Sequence, residues 1–423
     1  ITAQVNGVDA TATRVGTTVT FPATLQDNTN TLTVSVQNPG QAAPATATAS
    51  VVYPFLTFVD GQAASFAIGQ PDLVSVTETA ADKRLGDVYG RGAIVNGTLY
   101  IAAYGAGRVM GYDQVPTASD ASADFVLGKA DFTDTASAVS ATTMAGPGTI
   151  ATDGQRLFVA DYDNHRVLVY SAAPTASGAA ATFAIGQPDL DSAMSACSRT
   201  GLNYPDGVSY AAGKLIVADS GNNRVLIWNS VPTDSGVEPD VVLGQGAFDT
   251  CQSNDADQDG ISDAAPSNRV LNYPSDVWSD GERLVVADAS NNRVLIWNQV
   301  PTTDFAAADA VLGQAGFTSD SPGIGRLGLN FPYYVHSNGN QLFVADSSNR
   351  RVLIWDSVPE ASGQPADQVL GQPDFDTTER NAGQPSVNAA GFAYADGVFA
   401  YENQLFVADS SNDRVLVFDP VSP

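Results

Sequence analysis

Positive charge is scarce in this chain of 423 residues: 19 Lys and Arg face 46 Asp and Glu, a formal net charge of −27. Only three lysines occur, Lys83, Lys129 and Lys214. Nucleic acid is therefore not an expected partner, because phosphate binding needs clustered Lys and Arg. The surplus acid is mostly Asp, which suits either soluble Asp-rich turns or a surface that takes divalent cations or high salt. No apolar run approaches the ~20 residues of a membrane-spanning helix. No signal peptide is visible either, since Ile1 opens directly into polar strand-like sequence, and the expectation is that any targeting segment has been removed. Histidine is confined to His165 and His336. No Ser-His-Asp set, glycine-rich phosphate loop or Cys-x-x-Cys motif is found. The two cysteines, Cys197 and Cys251, stand in polar loops. Exposed free thiols are a liability, so they read as a disulfide rather than two free thiols. That implies an oxidising compartment and a secreted, extracellular or cell-surface protein.

What is present is a repeat. One phrase recurs as Leu99–Tyr104, Leu157–Tyr162, Leu215–Ser220, Leu284–Ala289, Leu342–Ser347 and Leu405–Ser410. Its fifth position falls at 103, 161, 219, 288, 346 and 409, giving steps of 58, 58, 69, 58 and 63 residues. A polar turn follows each copy, then an apolar strand led by Arg108, Arg166, Arg224, Arg293, Arg351 or Arg414. Next come a linker holding Val-Pro or Ala-Pro and a short strand ending in Leu-Gly or Ile-Gly. Three copies are entered through Leu-Asn-aromatic-Pro, at Leu202–Pro205, Leu271–Pro274 and Leu329–Pro332. Segments of four to seven residues rich in Val, Ile, Leu and aromatics, bounded by Gly, Asn, Asp and Pro, have strand chemistry.

Four strands in each of six copies describe an all-β, six-bladed β-propeller. The last copy stops after its third strand, at Val417-Phe418-Asp419. An orphan fourth strand, Ser65–Asp72, stands near the front and matches Thr182–Asp189. The expectation is a ring closed by the N-terminal strand, which removes two open sheet edges. The phrase Val-Ala-Asp-x-x-Asn-x-Arg-Val-Leu resembles the NHL repeat, over roughly residues 64–423. Blade 1 departs from it, with Ala103 where the others have Asp and Gly105-Ala106-Gly107 in the turn. The repeated pairs Asp161/Arg166, Asp219/Arg224, Asp288/Arg293, Asp346/Arg351 and Asp409/Arg414 read as turn scaffold, the carboxylate accepting backbone N–H groups and pairing with Arg. Trp228, Trp297 and Trp355 fall at equivalent strand positions and read as core. Lyases similar to this family hold an axial metal with several His ligands, and two histidines cannot supply three.

Residues 1–57 differ from the propeller of residues 58–423. Alternating Thr31–Val36 and Ala45–Tyr53, with turns at Asn6-Gly7 and Pro39-Gly40, resemble part of a bacterial immunoglobulin-like domain. The whole fold class is thus a propeller preceded by a small β-sandwich-like segment. Such a sandwich needs about seven strands. Either this segment is truncated, or a strand from another chain completes it and builds a polymer.

Asp255-x-Asp257-x-Asp259-Gly260-Ile261-x-Asp263 is the specific site motif. Calcium takes oxygen ligands at alternate loop positions, with Gly for the sharp turn and a backbone carbonyl, here that of Ile261. Pro266 stands where an EF-hand would carry its closing Glu, and the stretch resembles the shorter loops of thrombospondin-type repeats. The plainer reading is an acidic solvated loop. The long loops 130–147, 188–206, 246–275, 315–333 and 373–395 share one face, which carries both cysteines and this motif, and binding is expected there. The expected function is an extracellular or cell-surface binding or structural module with structural calcium and a protein, self-assembly or glycan partner. The alternative, a hydrolase or lyase with its site at the propeller axis, is favoured by a cluster of Asp, Asn and Glu from the first strands around a metal. These strands read as mainly Ala, Val, Gly, Ser and Tyr, so the expectation is no enzyme.

Overall fold

The computed structural model describes residues 55–77 and 81–421 in full, together with the backbone of six strands in the front segment. The chain divides into two compact units, Ile1–Thr57 and Phe58–Pro423. In the first, Val8–Ala10, Thr2–Val5, Asn28–Val36 and Ala45–Tyr53 form a four-stranded sheet in that order, and Thr13–Val15 pairs with Thr18–Thr20.

The second unit is a six-bladed propeller of four-stranded antiparallel sheets. Blade 1 comprises Ala93–Val95, Thr98–Ala103, Arg108–Tyr112 and Phe125–Leu127, and blade 2 Pro147–Thr152, Leu157–Asp161, Arg166–Tyr170 and Phe183–Ile185. Blade 3 runs through Pro205–Ala211, Lys214–Asp219, Arg224–Trp228 and Val241–Leu243. Blade 4 is Pro274–Ser279, Leu284–Asp288, Arg293–Trp297 and Ala310–Leu312, and blade 5 Pro332–Ser337, Leu342–Asp346, Arg351–Trp355 and Gln368–Leu370. Blade 6 has Ala395–Tyr401, Gln404–Asp409 and Arg414–Phe418 from the C-terminal part. Its fourth strand is Phe66–Ile68, paired antiparallel as Val415↔Ile68, Leu416↔Ala67 and Val417↔Phe66. The ring therefore closes as the orphan strand required.

Both faces of the second and third strands are apolar because each sheet packs between two others. Leu157–Asp161 and Arg166–Tyr170, for example, are buried at every position. The clusters alternate across neighbouring sheets: Leu226 and Trp228 of blade 3 pack with Phe158 and Val169 of blade 2, while Val225 and Ile227 pack with Val286 and Leu295 of blade 4. Trp297 and Trp355 are likewise core, each indole N–H donating to a linker carbonyl, Ala306 O at 3.2 Å and Gln364 O at 3.0 Å.

Between the second and third strands of each blade lies one 3₁₀ turn whose last residue is left-handed: Gly107, His165, Asn223, Asn292, Arg350 and Asp413, with φ between 52° and 59°. Asn tolerates this region better than most residues. In blades 2 to 6 the Asp ending the second strand is fully buried and receives Arg Nε at 2.7–2.8 Å. Its other oxygen takes a backbone N–H from the loop entering the blade, as Asn203 N to Asp219 at 2.7 Å. The Arg also donates to three loop carbonyls; Arg293 reaches Phe317, Ser267 and Val270. A buried charge of each sign is thus matched and fully hydrogen-bonded, the condition under which such a pair holds.

Candidate functional site

The first strands begin with a bulge. The register shifts between Pro205 and Gly207, Pro274 and Asp276, Pro332 and Tyr334, and Ala395 and Val398. A bulge inserts an extra residue and re-aims side chains. Here it turns Asp206, Asp276, Tyr334 and Asp396 into the axis, where all four are buried. Tyr334 donates its hydroxyl to Asp206 Oδ1 at 2.6 Å. Arg91 of the loop entering blade 1 pairs with Asp276 at 3.2 Å and donates to the carbonyls of Val208 and Val277. Asp396 accepts the hydroxyls of Ser347 and Ser410, and Ser410 Oγ lies 2.5 Å away.

Burial raises all three carboxyls. Asp206 is pushed up to about 7, with Tyr334 and Tyr333 opposing the shift through hydrogen bonds and the charges of Asp276 and Asp396 adding to it. Asp276 is raised to about 6 despite Arg91, and Asp396 to about 6 despite its two serines.

Above the acids, on the face of the long loops, five tyrosines close a ring. Tyr89 meets Tyr104 at 4.8 Å between ring centroids, and Tyr104 meets Tyr162 at 6.1 Å. Tyr162 shares a 2.6 Å hydroxyl contact with Tyr273, which stacks on Tyr333 at 6.4 Å and 15°. Tyr333 returns to Tyr89 at 6.2 Å. Phe331 stacks on Tyr333 at 5.6 Å and 16°. Two cavities open here. One of about 130 Å³ is lined by Tyr89, Tyr104, Tyr162, Tyr333 and Asp206. The other, of about 380 Å³, is lined by Tyr89, Tyr273, Phe331, Tyr333, Tyr394 and Asp396 among others. At the opposite end of the first strands a cavity of about 260 Å³ holds Arg91, His336, Tyr210 and Trp278. Burial lowers the His336 pKa to about 3, so it is neutral there.

The cup is built under strain. Tyr204, Tyr273 and Phe331, the aromatic residues of the three Leu-Asn-aromatic-Pro entries, have φ of 50° to 53°, a region bulky side chains avoid. Gly146 holds the corresponding place in blade 2, also at positive φ. The left-handed residue of the preceding blade fixes each aromatic backbone: His165 Nδ1 accepts Tyr204 N–H at 3.0 Å, Asn223 Oδ1 accepts Tyr273 N–H at 2.9 Å, and Asn292 Oδ1 accepts Phe331 N–H at 2.8 Å. Strained residues of this kind cluster at ligand clamps.

The residues singled out from sequence fall elsewhere. Carboxylate oxygens of Asp255, Asp257 and Asp259 lie within 4.8 Å of one another. Asp263 is apart from that set, accepting Ala256 N–H at 2.8 Å, and the Ile261 side chain is exposed. Asp255 accepts the N–H groups of Asp259 and Gly260, so the loop already curls around its first acid. Cys197 and Cys251 are joined, with Cα atoms 6.2 Å apart, tying the loop entering blade 3 to the loop entering blade 4. The five Asp/Arg pairs are the buried turn contacts described above.

Residues 202–228 match the NHL repeat family model. No curated protein sequence matches the chain. Similar solved structures include a streptogramin B lyase, at 9% identity and a TM-score of 0.40, covering 82% of this chain and 87% of that one. Virginiamycin B lyase from Staphylococcus aureus follows at 10% identity and a TM-score of 0.41, covering 80% and 96%. A nidogen/laminin complex has 15% identity and a TM-score of 0.35, covering 70% and 86%. At these values the likeness carries no conclusion about this chain, whose propeller fold rests on its own six sheets.

The expectation of no enzyme is corrected, because its ground, an axis without converging acids, does not hold. Asp206, Asp276 and Asp396 stand on first strands and face the axis. Asp206 and Asp396 each stand one residue into a first strand, beside the Gly207 and Gly397 of the bulge. Among the described residues no helix is long and apolar enough to cross a membrane.

Proposed function

We propose that this chain is an extracellular or cell-surface binding module whose ligand enters the tyrosine cup at the propeller axis, and that the ligand is a glycan. The observation carrying this reading is the closed tyrosine ring over the buried carboxyls of Asp206 and Asp396. Near-parallel rings of Tyr273, Phe331 and Tyr333 offer flat apolar faces to the C–H face of a pyranose. Asp396, with Ser347 and Ser348 beside it, supplies partners for sugar hydroxyls. A mostly aromatic site with a few converging polar groups is the usual form of a ligand pocket. The disulfide supports an oxidising compartment. Calcium at Asp255, Asp257 and Asp259 would brace the loop entering blade 4 on the same face, and the front segment offers strands for self-assembly. Binding to a glycan panel by wild type and Tyr333→Ala tests the reading. Saturable binding lost in the variant supports it, and binding unchanged in the variant rejects the cup as the site.

A second reading rests on Asp206. A carboxyl near 7 holds and releases a proton around neutrality, as a general acid requires. Turnover of a bound glycan that Asp206→Asn abolishes, with binding retained, would select the hydrolase or lyase reading over binding alone.

A further inference from the structure

Blade 1 breaks the repeat at three positions that lie together. Ala103 stands where the other five blades carry the buried Asp, and Ala106 where they carry the Asn that donates to it (Asn164, Asn222, Asn291, Asn349, Asn412). Lys129 stands where they carry Gln: Gln70, Gln187, Gln245, Gln314 and Gln372. Arg108 nevertheless remains. It donates to the carbonyls of Phe132, Ala81 and Arg84, the same kind of contacts its counterparts make. Its Nε, which in every other blade meets the Asp, has no partner among the described residues, and Arg108 is 5% exposed. Lys129 is equally buried and donates to the carbonyl of Ala136. Loss of an Asp and gain of a Lys leave this place two charges more positive than its counterpart in each other blade, in a chain whose net charge is −27. A cavity of about 920 Å³ opens on these groups, lined by Arg108, Lys129 and Arg84, with Asp87, Asp163 and Asp413 also in its wall. The three acids are exposed or partly exposed, whereas the two cations at the bottom are buried.

We propose that the blade 1 cavity binds a small carboxylate, whose oxygens take the place the Asp side chain fills in the other five blades. A buried guanidinium with an unmet N–H is costly until an acceptor arrives, and the repeat itself shows which acceptor fits: a carboxylate beside Arg Nε. The acids of the outer wall favour a ligand whose far end is cationic, so a free amino acid fits better than a dicarboxylate. This site is distinct from the axial cup and does not depend on it.

The test uses the whole chain and three probes: acetate, alanine and alaninamide, followed by calorimetry and by melting temperature. Acetate and alanine should bind saturably and raise the melting temperature, and alaninamide should do neither. Ala103→Asp, which installs the repeat's own carboxylate, should melt higher than wild type without ligand and bind alanine at least about tenfold more weakly, a change of ~1.4 kcal/mol. Lys129→Gln, the residue found in the other blades, should also weaken binding and keeps the test alive if the first variant folds poorly. Equal binding of alaninamide, or undiminished binding in both variants, overturns the proposal.

Discussion

The residues that matter most are charges held away from water, and their cost can be read from pH. The Asp206 carboxyl has an ordinary value of 3.8 and rises to about 7 in the folded protein. Below pH ~4 it is protonated folded or unfolded and has no effect. Between pH 4 and 7 the unfolded chain has released the proton and the folded chain still holds it. Rising pH therefore removes stability over this window, and the loss is complete above 7. Asp276 and Asp396 act in the same direction up to about 6. Asp206→Asn should flatten the fall in melting temperature between pH 4 and 7, and a slope equal to wild type would refute the buried-acid account. Burial raises the carboxyls of the repeat pairs as well, against the opposing charge of each Arg. Asp219→Ala leaves Arg224 buried and unmatched and should cost ~3–5 kcal/mol in denaturant unfolding. The Asp/Arg pairs were readable in the sequence because they recur five times at fixed spacing. The axial acids were not, because Asp206, Asp276 and Asp396 occur in only three of the six copies and Asp276 lies one residue further into its strand than the other two.

At the scale of elements, the same bulges explain what was legible. Strand content, blade order and closure follow from apolar runs and a missing fourth strand, and the pairing of Phe66–Ile68 with Arg414–Phe418 is the outcome. Deleting residues 58–72 should leave an open sheet edge on blade 6; the expected result is aggregation and loss of a single cooperative melting transition, with an unchanged transition counting against ring closure as a source of stability. The loop of Asp255, Asp257 and Asp259 and the Cys197–Cys251 link fix neighbouring long loops. In a protein where calcium sits on these acids, a chelator should lower the melting temperature, and Asp257→Asn should remove that response. Equal melting with and without chelator would mean an acidic loop only. Reducing the disulfide, which spans 54 residues, should cost up to ~4 kcal/mol through chain entropy. The two segments diverge in how much their sequence specifies. The aromatic entries Leu202–Pro205, Leu271–Pro274 and Leu329–Pro332 were visible as repeats, but their left-handed aromatics and the side chains that clamp them are properties of the folded ring.

For the whole molecule, six radial sheets bring one end of every first strand to a common axis. That geometry is what converts scattered residues, none remarkable in its own blade, into a ring of tyrosines over three buried acids. The tyrosines come from the loops entering blades 1 and 4, the turns of blades 1 and 2 and the first strand of blade 5, so no linear motif could have announced them. Their shared surface is the central claim of the functional reading. The most direct measurement is a crystal structure of the protein soaked with a glycan that binds it in solution. The account predicts a sugar ring against Tyr273, Phe331 and Tyr333, with hydroxyls toward Asp396. A glycan bound at another face, with the tyrosine cup filled only by water, would contradict it.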